Sequence, residues 1–222
     1  MNNEVYEKSK EDPTLIFTYI RRGNYELAYE LVNKNIVSIN TLDSIGNDVV
    51  VKFLKVKQYE YVIQLMKKKN WNVNNQNDEG NTFGHILAMD NSPMAVKVVE
   101  ALTKKSNYIP NLKNKRHETA MDIALNNNYL CTAFKLLEDK RFNEIDFSSF
   151  KNLFMASIEN KYYGKYSKIN NLEIIVESLE KKDLDSTMND LIDCIVENLE
   201  RIKIDIMNNK SYTIDAIINS YA

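Results

Sequence analysis

The sequence predicts an all-α fold, a helical solenoid of about five helix–turn–helix repeats followed by a C-terminal helical cap. Three observations predict it. The chain of 222 residues holds only 5 glycines and 3 prolines, too few sharp backbone devices for a strand-and-turn architecture and far below ordinary glycine usage of about 7%. Amphipathic stretches with apolar residues on one helical face recur along the chain. Polar turns led by asparagine recur at nearly the same period, about 34 residues.

The repeats follow in order. Residues 7–12 are polar and acidic and precede the apolar Leu15, Ile16 and Phe17, as suits the outward face of a terminal repeat. The stretch GNYELAYELV from Gly23 aligns with KQYEYVIQLM from Lys57, one period later. A third copy, NSPMAVKVVEAL, starts at Asn91, and a fourth, NNYLCTAFKLL, at Asn127. The connecting turns align as well: NTLDSIG from Asn40, NNQNDEG from Asn74 and NLKNKRH from Asn111, with a weaker NEIDFSS from Asn143. Gly46 and Gly80 end the first two turns, where a positive φ is expected, and His117 takes that place in the third as a mildly strained residue. A fifth helix pair is expected over residues 148–160 and 169–182. Beyond it an apolar stripe through Leu191, Ile195, Leu199, Ile202 and Ile206 reads as one long helix, onto which the tail at residues 212–218 folds back. The expected division is a repeat domain over residues 1–183 and a helical cap or extension over 184–222.

Residues 72–88, NVNNQNDEGNTFGHILA, resemble the ankyrin repeat, whose pattern is D-V-N-x-x-D-x-x-G-x-T-P-L-H-x-A-A. Val73, Asn74, Gly80, Thr82, His85 and Ala88 match, and the family's Pro-Leu becomes Phe83-Gly84. In the next copy Thr119 and Ala124 match, while Ala120, Met121 and Asp122 replace Pro, Leu and His. In the copy from Asp43, Asp43 and Gly46 match. The resemblance covers residues 15–179 and is strongest in the middle two repeats. Thr82 stands where a helix begins, so its hydroxyl is placed to cap free N–H groups, with His85 three residues on. Ala88, Ala124 and Ala156 are small enough for paired helices to approach closely. A tetratricopeptide array has much the same period, but lacks such projecting turns.

Composition narrows the function. Apolar residues make up 44% and charged residues 27%, with 29 basic against 31 acidic side chains. That balance argues against a dedicated nucleic-acid binder, a local basic patch aside. G-x-G-x-x-G, G-x-x-x-x-G-K-[ST] and G-x-S-x-G are absent, which removes the dinucleotide fingerprint, the phosphate loop and the hydrolase elbow. No paired carboxylates carry a surrounding motif. A zinc site would need His85, His117, Cys131 and Cys194, which lack C-x-x-C or H-x-x-x-H spacing, and both cysteines read as inert thiols on apolar helix faces. No enzyme activity, cofactor, metal or small-molecule substrate is expected. Residues 1–13 hold no apolar core of a secretory signal, and no apolar run approaches the roughly 18 residues of a membrane span. Cytoplasm or nucleus is the expected compartment.

The ankyrin resemblance implies a non-enzymatic adaptor or scaffold that holds a protein partner on a concave surface of turn tips and inner helices. Candidate contacts are Asp78 and Glu79 at one tip and Lys115 and Arg116 at the next, the latter inside the basic cluster of residues 113–117. Trp71, the only tryptophan, is a further candidate, since tryptophan is enriched in binding hot spots. So are Tyr162, Tyr163 and Tyr166, interleaved with lysines in residues 161–168 and read as a loop. Two other readings stand beside the adaptor: a regulatory subunit or inhibitor that docks through the C-terminal helix, and a nucleic-acid-associated factor using residues 161–168.

Overall fold

A computed structural model describes residues 3–127, 129–142, 147–159, 165–180, 182 and 184–221. Among them the chain forms fourteen helices and no strand; the one extended pairing is an antiparallel bridge between Leu42 and Asp48. The all-α expectation therefore holds. No described helix is long and apolar enough to cross a membrane. The chain divides into two compact bodies, Met1–Ala120 and Met121–Ala222.

The first body contains α1 (Asn3–Glu11), α2 (Leu15–Arg21), α3 (Tyr25–Asn33), α4 (Val49–Lys55), α5 (Tyr59–Leu65), α6 (Phe83–Leu87) and α7 (Pro93–Thr103). The helices pack in pairs, α2 with α3, α4 with α5, and α6 with α7. Successive pairs stack in two rows, α2, α4 and α6 in one and α3, α5 and α7 in the other. Leu31, Val50, Phe53, Val62, Leu65 and Leu87 are fully buried between and within these pairs, each contributing roughly 1.5–3 kcal/mol. The turn inside the first two pairs carries the same bonds. Asn24 N–H reaches Tyr19 O at 2.9 Å and Gln58 N–H reaches Phe53 O at 3.0 Å. The residue before each, Gly23 and Lys57, has φ 81° and 58°, the left-handed helix ending of a Schellman motif.

The second body contains α8 (Ala120–Asn126, which begins at the division), α9 (Leu130–Leu137), α10 (Phe147–Glu159), α11 (Lys165–Leu179), α12 (Ser186–Glu197), α13 (Leu199–Met207) and α14 (Tyr212–Ser220). Helices α10 and α11 pack together, and both contact α9. Lys182 is buried and donates to Asp139 O at 2.9 Å and Phe142 O at 2.7 Å. Those two bonds satisfy carbonyls beyond the end of α9, and burial lowers the Lys182 ammonium to about 8. The tail packs back on the preceding helices, α14 contacting both α12 and α13 through Ile214, Ile217 and Ile218.

Three expectations need correction here. The long C-terminal helix is two: Asn198 stands between α12 and α13 with φ −101° and ψ 7°. Its side-chain amide donates to Cys194 O at 2.8 Å, a local bond that competes with helix propagation. Residues 165–168, read as loop, form the first turn of α11. Cys131 is exposed and Cys194 is half-buried, rather than core. On α9, Lys135 and Glu138 follow Cys131 at i+4 and i+7 and form an ion pair of 2.8 Å, so that face is the solvated one.

Candidate functional site

The candidate surface is built on three polar turns at residues 43–47, 77–81 and 114–118, which carry one hydrogen-bond pattern. The side-chain oxygen of the first residue accepts two backbone N–H groups. Asp43 takes those of Ile45 and Asn47 (3.1 and 2.8 Å), Asn77 those of Glu79 and Asn81 (3.0 and 2.9 Å), and Asn114 those of Arg116 and Glu118 (2.8 and 3.0 Å). The fourth residue of each has positive φ: Gly46 78°, Gly80 77° and His117 63°. The register drawn from the sequence, including the strained histidine, is the observed one. The weaker turn at residues 143–149 lies partly outside the described residues.

Neighbouring turns are tied by backbone and by side-chain links. Asp78 N–H donates to Ile45 O at 3.1 Å and Lys115 N–H to Glu79 O at 3.0 Å. Beneath these, Asn77 Nδ2 donates to Asn47 Oδ1 and Asn114 Nδ2 to Asn81 Oδ1, both at 3.0 Å. Asn47, Asn77, Asn81 and Asn114 are all buried. A buried amide is stable only when its bonds are made, so this asparagine ladder fixes the spacing of the turns. A parallel brace comes from Asn40, whose side chain bonds Asn70 O (2.7 Å) and Asn72 N–H (2.8 Å), and from Asn74, which bonds Asn107 O (2.6 Å) and Ile109 N–H (2.9 Å).

The helices below begin at matching caps. Asp48 accepts from Val51 N–H at 2.8 Å at the start of α4. Thr82 and His85 form a reciprocal capping box at α6, in which His85 Nδ1 accepts from Thr82 N–H at 3.1 Å. That fixes Nε2 as the protonated nitrogen, and it donates to Glu118 O at 2.9 Å. His85 is buried and occupied at both nitrogens. Among the described residues no three His, Cys, Asp or Glu side chains form a group that could hold a metal ion.

Of the sequence-predicted contacts, the ladder brings together the exposed Asp78 and Glu79 and the exposed Lys115 and Arg116 on adjacent tips. Glu79 accepts from Asn81 Nδ2 at 2.9 Å and Arg116 pairs with Glu118 at 2.9 Å, which orients both. Trp71 does not join them. It is 1% exposed, stands edge-on to Phe83 at 5.0 Å and donates Nε1–H to Asp48 Oδ2 at 2.9 Å. Its role is to close the core and to bond the buried cap carboxylate, so a partner has no access to it. Burial pushes the Asp48 carboxyl up to about 6, against the bonds from Trp71 and Val51 that favour its charge. Tyr162 and Tyr163 lie outside the described residues. Tyr166 is in the first turn of α11.

Sequence reasoning missed a cleft of about 690 Å³ between α2, the first turn and α4. Phe17, Leu42 and Val56 give it apolar wall, and Arg21, Lys52 and Lys55 give it positive charge. A signal for it was present. Leu42 and Ile45 are 44% and 49% exposed, at tip positions that hold Gln76 and Glu79, then Lys113 and Arg116, in the next two turns.

Comparison of the chain with protein-family models, with curated proteins and with solved structures finds no match.

Proposed function

We propose that this chain is a non-enzymatic, ankyrin-like interaction module, an adaptor or scaffold that holds a protein partner on its turn tips. One observation carries the reading. The tips at Asp78, Glu79, Lys115 and Arg116 project charged side chains, while the bonds that hold the tips in place come from backbone and buried asparagine. Apart from Glu79, whose carboxylate also accepts from the buried Asn81 amide, recognition groups are separated from folding groups, as binding loops on a rigid scaffold require. The acidic and basic tips are adjacent, so they read a partner segment by its order of charge. The stacked helix pairs of the first body support the ankyrin-like assignment, and the count of about five repeats is part of the same proposal. The test replaces Asp78, Glu79, Lys115 and Arg116 together by serine and compares native partners captured by the variant and the wild type. Stability is expected to change by no more than about 0.5 kcal/mol each at Asp78, Lys115 and Arg116 and by about 1 kcal/mol at Glu79, whose loss leaves the buried Asn81 amide without that acceptor, with clear loss of at least one partner. Undiminished capture of every partner by a folded variant refutes the tips as the binding surface.

A further inference from the structure

The ladder of turns has an open end, and what it lacks there is defined by what the other rungs possess. In the second and third turns, the residue after the Asx side chain donates its N–H to the preceding turn, as Asp78 and Lys115 do. The equivalent residue in the first turn is Ser44. It is exposed, and its N–H has no acceptor among the described residues. Residues 9–12, one period upstream, are not a turn: they finish α1 and the bend after it. The cleft opens at this place, since Asp43 and Ser44 line it. Its wall is apolar where Phe17, Leu42 and Val56 meet. Its charge is positive: Lys52 is spent on Asp43 at 3.0 Å, while Arg21 and Lys55 are exposed and, among the described residues, have hydroxyl and amide partners only, Thr18 Oγ1 at 3.2 Å and Asn47 Oδ1 at 3.4 Å. The volume lies within the usual 300–1,000 Å³ of ligand sites, about mid-range.

We propose that this cleft binds an acidic peptide segment of a partner protein, which continues the ladder by one rung. A backbone carbonyl of the segment accepts from Ser44 N–H, a carboxylate pairs with Arg21 and Lys55, and an apolar side chain rests on Leu42, Phe17 and Val56. Main-chain bonding gives affinity and the side chains give selectivity, the logic of strand addition applied to a stack of turns. The inference rests on the interaction-module reading and names a second site for it, on the first turn rather than the tips of the second and third.

The experiment titrates the full chain with fluorescein-labelled ten-residue peptides that alternate Glu or Asp with Leu or Phe. Peptides with Lys or Arg in the acidic positions, and a single-stranded DNA oligonucleotide, serve as the opposing probes. Amide NMR shifts locate the contact. Expected are saturable binding of the acidic peptides, a shift at the Ser44 amide, and at least tenfold weaker binding for Arg21→Glu with Lys55→Glu. Leu42→Ser is expected to weaken binding severalfold, and raised salt to weaken it further. Arg21, Lys55 and Leu42 are all exposed, so these variants are expected to fold, as retained Trp71 fluorescence would report. Equal affinity for the basic peptides, tighter binding of DNA, no shift at Ser44, or full affinity in the charge-reversed variant each overturn the proposal. The four-serine tip variant separates the two readings. If it loses native partners while the peptide titration is flat, the tips stand and the cleft falls; if it keeps every partner while the peptide binds, the reverse holds.

Discussion

Replacing Gly80 by alanine tests the ladder at its tightest point. Gly80 has φ 77°, where a Cβ costs roughly 1–2 kcal/mol. The added Cβ would also stand 2.7 Å from Lys115 N and 3.2 Å from the Asn114 backbone, so the third turn must move. Movement strains two links, Lys115 N–H to Glu79 O and Asn114 Nδ2 to Asn81 Oδ1. Loss of one such bond costs about 1 kcal/mol, more where it strands the buried amide. Gly80→Ala is therefore expected to destabilise the first body by about 3–4 kcal/mol. Gly23→Ala supplies the control, because Gly23 has φ 81° and nothing within 4 Å of its Cβ position. It should lose only the backbone part, about 1–2 kcal/mol. The assay is urea unfolding followed by the fluorescence of Trp71, the only tryptophan, which reports the first body alone. Equal losses for the two variants would refute the close approach of the second and third turns.

Asp48→Asn tests the buried cap. The folded carboxyl titrates near 6 against an ordinary 3.8, so its contribution to stability is full below about pH 4 and is lost as pH rises through 6. That difference corresponds to roughly 3 kcal/mol. An asparagine loses one of the two accepted bonds, so the variant should be weaker than wild type by about 1 kcal/mol at pH 4 and the stronger of the two at pH 7; parallel stability curves across that range would exclude the raised carboxyl. Ala124 is fully buried in α8, and Ala124→Arg should cost on the order of 3–5 kcal/mol by placing an unpaired charge in a dry contact. An unchanged melting temperature would show that site to be open. Cys131 is exposed and Cys194 half-buried, so a thiol reagent under native conditions should label Cys131 first, as peptide mass mapping would show.

What was legible in the sequence follows the range of the interaction. Positive φ at Gly46, Gly80 and His117 and the pairing of Thr82 with His85 are local events within a single turn, and the repeat period was enough to align them. Cys131 misled because its neighbours Leu130, Thr132 and Ala133 are all buried, and only the face shared with Lys135 and Glu138 shows it to be solvated. Asn198 misled because an apolar period continues across it, while at the break its side chain competes for Cys194 O. The burial of Asn77 and Asn114 was not legible either. An asparagine in a turn is ordinarily solvated, and these two are buried because a neighbouring turn, a whole repeat away in the chain, lies against them.

The same ladder accounts for a difference between otherwise equivalent residues. Asn77 and Asn114 each use an Nδ2–H to reach the preceding turn; at Asp43 no such turn precedes it among the described residues, and a carboxylate stands where the others have an amide. The carboxylate turns to Lys52 at 3.0 Å. Burial raises the Asp43 carboxyl, but the N–H groups of Asn47 and Ile45 and the Lys52 ammonium outweigh it and leave the group below its ordinary value. Asp43 thus remains charged and satisfied at neutral pH, and the cleft keeps Arg21 and Lys55 as its surplus. A chain that ended its ladder with a third asparagine would have left Lys52 free as well. Asp43 ends the internal stack by giving Lys52 a partner, and it leaves Ser44 N–H, two cations and the Leu42 side chain as the invitation to a further rung.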